Sequence, residues 1–161
     1  MTISIRPATE QDCALILRFI TELAVYEKAA DQVEATVETL ASSLFGAGTP
    51  ARALICEADG QPVGYAIYFF NYSTWQARKG LYLEDLYVSP ASRGIGAGKR
   101  LLRHLARVAV EEGCGCFEWS VLDWNQPAID FYQSIGARPQ AEWVRYRMHG
   151  EALTGFAAGS D

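Results

Sequence analysis

The sequence predicts an α/β fold with a mixed central sheet and helices on both faces of that sheet. The chain has 161 residues and half of them are apolar, which is enough for one sizeable core. Segments with strand-like and helix-like apolar spacing alternate along the chain. No repeat, low-complexity tract or Pro/Ser-rich linker separates them, so we expect a single domain over residues 1–161.

The first half of the chain has the patterns of a strand, two helices and a hairpin. Pro7 ends the strand, and Thr9 with Asp12 has the capping-box spacing that opens a helix. Asp59 and Gly60 are residue types that a tight hairpin turn favours. The predicted elements are a strand at residues 3–6, a helix after Thr9, a helix near Val37–Phe45 and a hairpin of Arg52–Ala58 with residues 62–72.

The second half of the chain alternates between strands and helices. Pro90 ends one strand, and Gly113 is placed to end a long helix. The predicted elements are strands at residues 80–89, 116–122 and 143–148, with helices at residues 96–112 and Gln126–Ser134. The order β-α-α-β-β-β-α-β-α-β is typical of a mixed sheet that is covered by helices.

Charge and cysteine content exclude several classes of protein. Fourteen Lys and Arg residues against nineteen Asp and Glu residues give a net charge of −5, so no nucleic-acid partner is expected. No signal peptide is visible, and the most apolar run, residues 63–70, is less than half the roughly 20 residues of a membrane span. We therefore expect a cytoplasmic protein with no membrane partner. Four unevenly spaced cysteines indicate reduced thiols rather than a disulfide framework.

A glycine-rich loop between a predicted strand and a predicted helix is the sharpest local signal. It consists of Arg93, Gly94, Ile95, Gly96, Ala97 and Gly98. Such glycines permit positive φ angles and close backbone approach, so the N–H groups of the loop and first helical turn can surround a phosphate. The third glycine comes too early for a Rossmann fingerprint, and Lys99 lacks the following Ser or Thr of a Walker loop. A turn that only lets the helix pack closely is the simpler alternative.

Further motifs accompany this loop, and together they resemble the GNAT N-acetyltransferases. The similarity is closest to the diamine (spermidine/spermine) and thialysine N-acetyltransferase subgroup, and it covers nearly all of residues 3–157. The motifs are Leu-Ala-Val-Tyr-Glu-Lys at residues 23–28, Tyr-Ser-Thr-Trp at 72–75, Leu-Tyr-Leu-Glu-Asp-Leu-Tyr-Val at 81–88, the loop at 93–98, Val-Leu-Asp-Trp-Asn-Gln-Pro-Ala at 121–128 and Phe-Tyr at 131–132.

The resemblance implies the GNAT fold, with a sheet of about six to seven strands that splits between strands 4 and 5. It also implies acetyl-CoA as co-substrate in that split, and a homodimer. Main-chain groups of Leu86, Tyr87 and Val88 would bind the pantetheine arm, and the glycine-rich loop would bind the pyrophosphate. The remaining coenzyme contacts would be Asn125, Gln126, Pro127, Ala128 and Tyr132. A simple helix N-cap is the alternative role for Asn125.

Acetyl transfer to an amine needs a proton acceptor for the ammonium and a proton donor for the departing thiolate. Glu84 lies mid-strand among apolar residues, where a carboxylate is costly unless it is paired or functional. The resemblance makes Glu84 the base, and an outward-facing strand acid is the alternative. Strand alternation puts Asp85 on the opposite face, so we expect a structural role for it. The resemblance makes Tyr132, seven residues after Asn125, the general acid; a core aromatic beside Phe131 is the alternative.

A nucleophilic cysteine is the mechanistic rival. Cys114 and Cys116 are close in sequence, but no spacing assigns His104 or His149 as a partner base. A lone C-x-C pair is also weak evidence for a metal site, which needs two more ligands. We therefore expect free thiols, no bound metal and direct transfer in a ternary complex.

The substrate is expected to be a small-molecule primary amine, since a carboxylate can pair with its ammonium group. The contacts that the resemblance implies are Tyr26, Glu27, Glu84, Glu118, Trp119 and Ser120. The alternative for Tyr26 and Glu27 is that they only form the solvent-exposed end of a helix. Residues 29–32 and 73–75 carry fewer acids than polyamine enzymes have there, which favours a short lysine-like amine such as thialysine. A diamine or polyamine, a peptide amine, and a binding module without activity are the alternatives.

Overall fold

A computed structural model describes residues 1–159 and divides them into two units, Met1–Leu122 and a second that begins at Asp123. Ser160 and Asp161 lie outside the described residues, and the single domain expected over residues 1–161 stays a prediction. The strands are β1 (Ile3–Pro7), β2 (Arg52–Ala58), β3 (Gln61–Ser73), β4 (Arg78–Val88) and β5 (Phe117–Trp119). The helices are α1 (Cys13–Tyr26), α2 (Val37–Phe45) and α3 (Ala97–Glu111) in the first unit, with α4 (Gln126–Ser134) and α5 (Gly150–Ala158) in the second.

The five strands of the first unit form one mixed sheet in the order β1-β2-β3-β4-β5. The first four are antiparallel neighbours, whereas β4 and β5 are parallel and are joined through α3. Pairing between β4 and β5 joins only three residue pairs, from Leu81 with Phe117 to Leu83 with Trp119. Because β4 continues to Val88, its last residues have no partner on the β5 side among the described strands. The end of this pairing coincides with the predicted split between strands 4 and 5.

Helices cover both faces of the sheet, as predicted. On one face, α1 and α2 pack on the strands through a cluster that includes Phe19, Tyr65 and Tyr87. The rings of Phe19 and Tyr65 are stacked, with centroids 5.6 Å apart. On the other face, α3 lies near the side chains of Leu86 and Val88, since a Cβ added at its Gly98 would be 3.9 Å from each. Neighbouring strand residues point to opposite faces, which separates Tyr87 from Leu86 and Val88.

Several predicted strands differ from those observed. The strand expected at residues 143–148 is wrong, because these residues belong to no strand of the described chain. Their alternating apolar side chains resemble a strand, but a strand exists only where its backbone groups pair with a neighbour. The strand expected at residues 116–122 shortens to β5, and without a strand at residues 143–148 the described sheet has five strands instead of six to seven. Helix α5 was not predicted; Gly155 in its interior weakens the helical pattern.

None of the described helices is both long enough and apolar enough to cross a membrane.

Candidate active site

Glu84 occupies a β-bulge in β4. Across to β3, Asp85 pairs with Ile67 and Leu83 pairs with Tyr68, so Glu84 is an extra residue without a cross-strand partner. Its side chain is exposed, which corrects the expectation of costly apolar surroundings. The reason is tertiary, because the bulge and the end of β5 pairing both fall at this position. A bulge re-aims a side chain, as is common beside active sites.

Asp85 lies on the face of the sheet that α1 covers; because the bulge interrupts regular alternation, the opposite placement of Glu84 and Asp85 stays a prediction. Its Oδ2 accepts a hydrogen bond of 2.7 Å from the hydroxyl of the fully buried Tyr65. Burial raises the pKa of the Asp85 carboxyl, and the Tyr65 hydrogen bond lowers it by less. Burial and then the charge of Asp85 raise the pKa of Glu27, at the end of α1. The sequence did not reveal the Tyr65–Asp85 pair, because Tyr65 lies in an apolar strand without any polar pattern.

The raised pKa of Asp85 predicts a pH-dependent stabilisation by Asp85→Asn. A carboxyl whose pKa is higher in the folded protein than its ordinary 3.8 favours folding when protonated and opposes folding when ionised. Stability is therefore lost as the pH rises above about 3.8, and we expect Asp85→Asn to have the higher free energy of unfolding at pH 7. Urea unfolding at pH 3 and pH 7 measures this. An equal gain in the free energy of unfolding at both pH values would contradict a raised pKa of Asp85.

The glycine-rich loop has the backbone of an anion site. Gly94 and Gly96 have φ angles of 83° and 84°, and α3 begins directly after Gly96. In the described chain no hydrogen bond uses the amides of residues 94–99 as donors, so these N–H groups can receive a ligand. Gly98 is an exception to the expected positive φ angles, because it lies inside α3.

Arg93 joins this loop to β4 and α1. Its Nε donates a hydrogen bond of 3.1 Å to the carbonyl of Val88. Its guanidinium lies over the ring of Tyr26 at 5.1 Å and near that of Tyr87 at 5.7 Å. These cation–π contacts place a positive charge beside Tyr26, one of the predicted substrate residues.

Gly96→Ala tests the loop, with Gly113→Ala as its matched control. Both glycines have positive φ angles (84° and 71°), and an added Cβ meets no atom within 4 Å at either position. We expect each change to cost roughly 1–2 kcal/mol of stability, because the left-handed region is strained for alanine. Only Gly96→Ala should also raise the KM for acetyl-CoA severalfold, because its Cβ crowds the approach to the amides. Equal KM values for the two variants would show that the glycine-rich loop does not bind the coenzyme.

The backbone of Leu86 to Val88 is hydrogen-bonded to one neighbouring strand. Leu86 pairs with Ala66 and Val88 with Gly64 on β3, whereas the pairing with β5 has already ended at Leu83. Main-chain groups on that side can therefore hydrogen-bond an extended ligand in the place of a strand.

The predicted substrate residues of β5 and the residue after it lie beside β4. Glu118 and Ser120 are exposed, and the Ser120 Oγ and Tyr82 hydroxyl are hydrogen-bonded at 2.8 Å. The ring of Trp119 lies 4.8 Å from that of Phe117. This part of the first unit therefore presents polar groups next to the end of the β4–β5 pairing.

Cys116 lacks the properties of a nucleophile. Burial, followed by its hydrogen bond to Glu118 Oε1 at 3.2 Å, raises the pKa of the Cys116 thiol to about 11. The reactive thiolate of Cys116 is therefore scarce at neutral pH, which disfavours an acyl-cysteine route through this residue.

The remaining predicted coenzyme residues are in the second unit. Asn125 occupies the N-cap position of α4, but its side chain makes no capping hydrogen bond there. Gln126 Nε2 donates to Asp130 Oδ1 at 2.7 Å, within the helix. The Tyr132 side chain is half-buried, and its ring lies 5.9 Å from that of Phe131. Asn125 directly precedes α4 and Tyr132 lies near its end, and the shared face expected from their spacing stays a prediction.

Comparison with known proteins identifies the family of this chain. The model of the acetyltransferase (GNAT) family matches residues 20–137. The chain belongs to this family. It is 44% identical to the thialysine N-epsilon-acetyltransferase of Sus scrofa over 97% of this chain and 98% of that protein. The corresponding mouse enzyme is 40% identical over 95% of this chain and 96% of its own length.

Solved structures share the fold of this chain. An integron cassette protein from V. cholerae superposes with a TM-score of 0.83 at 28% identity, and 99% of each chain is covered. A ribosomal-protein-alanine N-acetyltransferase from Brucella melitensis has a TM-score of 0.73 at 21% identity, covering 93% of this chain and all of that one. The second likeness concerns the fold alone.

In this acetyltransferase, the first unit brings most of the predicted site residues to one region of the sheet. Glu84 and residues 86–88 follow the end of the β4–β5 pairing, and the glycine-rich loop follows β4. Arg93 and Asp85 link that end of β4 to Tyr26 and Glu27. Within residues 1–159, no three His, Cys, Asp or Glu side chains form a group that could hold a metal ion.

Proposed function

We propose that this protein transfers the acetyl group of acetyl-CoA directly to the primary amine of a small lysine-like molecule, with thialysine as the first candidate. The observation that carries the proposal is the near full-length similarity to thialysine N-epsilon-acetyltransferases, at 44% identity for the pig protein and 43% for that of Bos taurus. The described site supports the proposal with an anion-binding loop, an open edge of β4 and the Glu27 carboxyl group at the end of α1.

In the proposed reaction, the coenzyme is held by main-chain groups. The pyrophosphate binds to the amides of residues 94–99, where the N-terminal dipole of α3 adds to the attraction. The pantetheine arm hydrogen-bonds the open side of Leu86, Tyr87 and Val88. Asn125, Gln126, Pro127 and Ala128, at the start of α4, complete the coenzyme site.

The chemical step forms one bond and breaks another. The neutral amine nitrogen attacks the thioester carbonyl, the new C–N bond forms, and the C–S bond breaks as the thiolate leaves. Glu84 accepts the proton that the ammonium must lose, directly or through a water molecule. Tyr132 donates a proton to the departing sulfur, and the second proton, which the nitrogen loses as it becomes an amide, restores the Tyr132 hydroxyl through solvent.

Negative charge near the end of α1 favours a cationic substrate. The carboxyls of Glu27 and Asp85 interact electrostatically, and both are held in partly buried surroundings. The hydrogen-bonded Tyr82–Ser120 pair and Glu118 add polar groups from β4 and the β5 side. The Glu27 carboxylate can pair with the ammonium group of a substrate, whereas the Asp85 carboxylate is hydrogen-bonded to Tyr65.

A diamine or polyamine is the second candidate substrate. The observation in its favour is 37% identity over 95% of this chain to a human spermidine/spermine N(1)-acetyltransferase-like protein, although the match covers 23% of that protein. Residues 29–32 and 73–75 have few carboxylates, so a long polycation finds few partners along its length. A short amine needs fewer such partners and is therefore the first candidate.

Thiol release from acetyl-CoA against a panel of amines tests the proposal. The panel contains thialysine, lysine, ornithine, putrescine, spermidine, spermine and a short lysine peptide. We expect saturable turnover with the highest kcat/KM for thialysine or lysine. A preference for spermidine would select the polyamine alternative. Coenzyme binding without turnover of any amine would favour the alternative of a binding module without activity.

The resemblance also leads us to propose a homodimer. Light scattering on the purified chain measures this directly. A monomeric mass across a range of concentrations would refute the dimer and leave the reaction assignment in place.

A further inference from the structure

A partly buried hydrogen bond next to Glu84 has no part in the proposed chemistry. The Tyr65 hydroxyl on β3 donates to Asp85 Oδ2 on β4 at 2.7 Å, and Asp85 directly follows the bulge residue. The Tyr65 side chain is fully buried, and its ring is stacked on Phe19 of α1. The donor is therefore held rigidly from two elements.

The strand register explains why this bond reaches Asp85. Tyr65 lies opposite Tyr87, and Ile67 lies opposite Asp85, so Tyr65 and Asp85 are diagonal neighbours on one face. A long side chain spans such a diagonal in an antiparallel pair. The bond thus fixes the face on which Asp85 lies, one residue after the point where the register slips.

A bulge needs such a fixed point. A slip of one residue turns side chains to the opposite face, and near the bulge β4 lacks the second ladder that β5 supplies up to Leu83. If Asp85 left its place, Glu84 could not keep its direction, because the two residues share a peptide bond.

We propose that Tyr65 and Asp85 are positioning residues that hold Glu84 in the direction required for proton transfer. This inference rests on the proposed function, in which Glu84 is the base. The hydrogen bond keeps Asp85 on the α1 face, and Glu84, which directly precedes Asp85 at the bulge, keeps its own direction as a result. Neither Tyr65 nor Asp85 needs to contact the reacting atoms.

The position of the Asp85 carboxylate depends on its hydrogen bond to Tyr65, because the other groups nearby do not hold it. Glu27 at the end of α1 interacts with Asp85, and Glu84 before it on β4 interacts with its partner Tyr65. Further along the same face, Glu22 and Arg93 interact with Tyr87. Tyr65 is the one hydrogen-bond donor described for the Asp85 side chain, and no described ion pair includes Asp85. Without the hydroxyl, a partly buried carboxylate would lack this donor while it repels Glu27, so it would turn towards water.

A double-mutant cycle between Tyr65→Phe and Glu84→Gln tests the inference. We expect Tyr65→Phe alone to lower kcat about tenfold and to leave the KM for acetyl-CoA unchanged, the order of effect seen when a catalytic group is misplaced. In the Glu84→Gln protein, the same change should lower kcat less than about twofold, because effects that act through one group are not additive. Tyr68→Phe is the matched control, since Tyr68 is also buried on β3 and has no described carboxylate partner. It should retain the wild-type kcat.

The possible outcomes separate this inference from the proposed function. A tenfold loss from Tyr65→Phe in both backgrounds would overturn the positioning role while Glu84 stays the base. A wild-type rate for Glu84→Gln would overturn both. Two substitutions at Asp85 give an independent check: Asp85→Asn keeps an acceptor for Tyr65 and should lose less than about threefold in kcat, whereas Asp85→Ala should match Tyr65→Phe. Equal large losses for both would mean that the charge of Asp85 itself acts, contrary to the proposal.

Discussion

Replacing Tyr132 by phenylalanine is expected to lower kcat about 10²-fold, the usual contribution of one general acid. The phenol on α4 is the proposed proton donor to the departing thiolate, and phenylalanine keeps the ring and its contact with Phe131 at 5.9 Å. The fold and coenzyme binding should therefore be preserved. Thiol release at saturating thialysine measures kcat, and quenching of tryptophan fluorescence by acetyl-CoA measures binding.

The control for this substitution is Tyr146→Phe, which removes a phenol that is 93% exposed in the same unit. We expect wild-type values of kcat and coenzyme affinity for this variant. If Tyr132→Phe also has the wild-type kcat, Tyr132 is a packing residue beside Phe131, and the proton donor must be sought elsewhere.

Glu84→Gln is expected to lower turnover about 10²-fold at neutral pH, with a loss that becomes smaller as the pH rises. An alkyl ammonium has a pKa of about 10.4, so at pH 7 almost every substrate molecule must lose a proton before attack. At high pH the free amine is abundant, and the missing carboxylate matters less. A profile of kcat/KM from pH 6.5 to pH 10 measures this, with acetyl-CoA binding expected to be unchanged.

Glu34→Gln is the control, because it removes an exposed carboxylate outside the proposed site. Its pH profile should coincide with that of the wild type. A Glu84→Gln profile parallel to the wild-type profile at all pH values would exclude Glu84 as the base, whatever the size of the loss.

Local elements were predicted well wherever their signals lie within a few residues. Asp59 and Gly60 have the positive φ angles of a two-residue hairpin turn, 49° and 79°. The predicted ranges of α2 and α4 coincide with the observed helices. The capping spacing of Thr9 and Asp12 is confirmed, since Asp12 Oδ2 accepts the Thr9 N–H at 2.8 Å. These features depend on backbone preferences and near-neighbour hydrogen bonds, which sequence alone encodes.

Features that depend on pairing between distant segments were predicted less well. Residues 143–148 have a strand pattern but no ladder in the described chain. The surroundings of Glu84 were expected to be apolar, yet its side chain is exposed because β5 ends its pairing at Trp119. Both cases depend on which strand lies alongside, and no local pattern encodes that.

The sequence by itself determined the fold class, the glycine-rich loop and the resemblance to GNAT acetyltransferases, because residue types at fixed spacing carry all three. Only the tertiary structure decided that Glu84 lies at a bulge and that Asp85 is bound to Tyr65, twenty residues away. It also placed Arg93 over Tyr26, between the loop and α1. The register of β3 against β4 and the packing of α1 on the sheet create these contacts. They arise from the free energy of the whole fold, which no short segment contains.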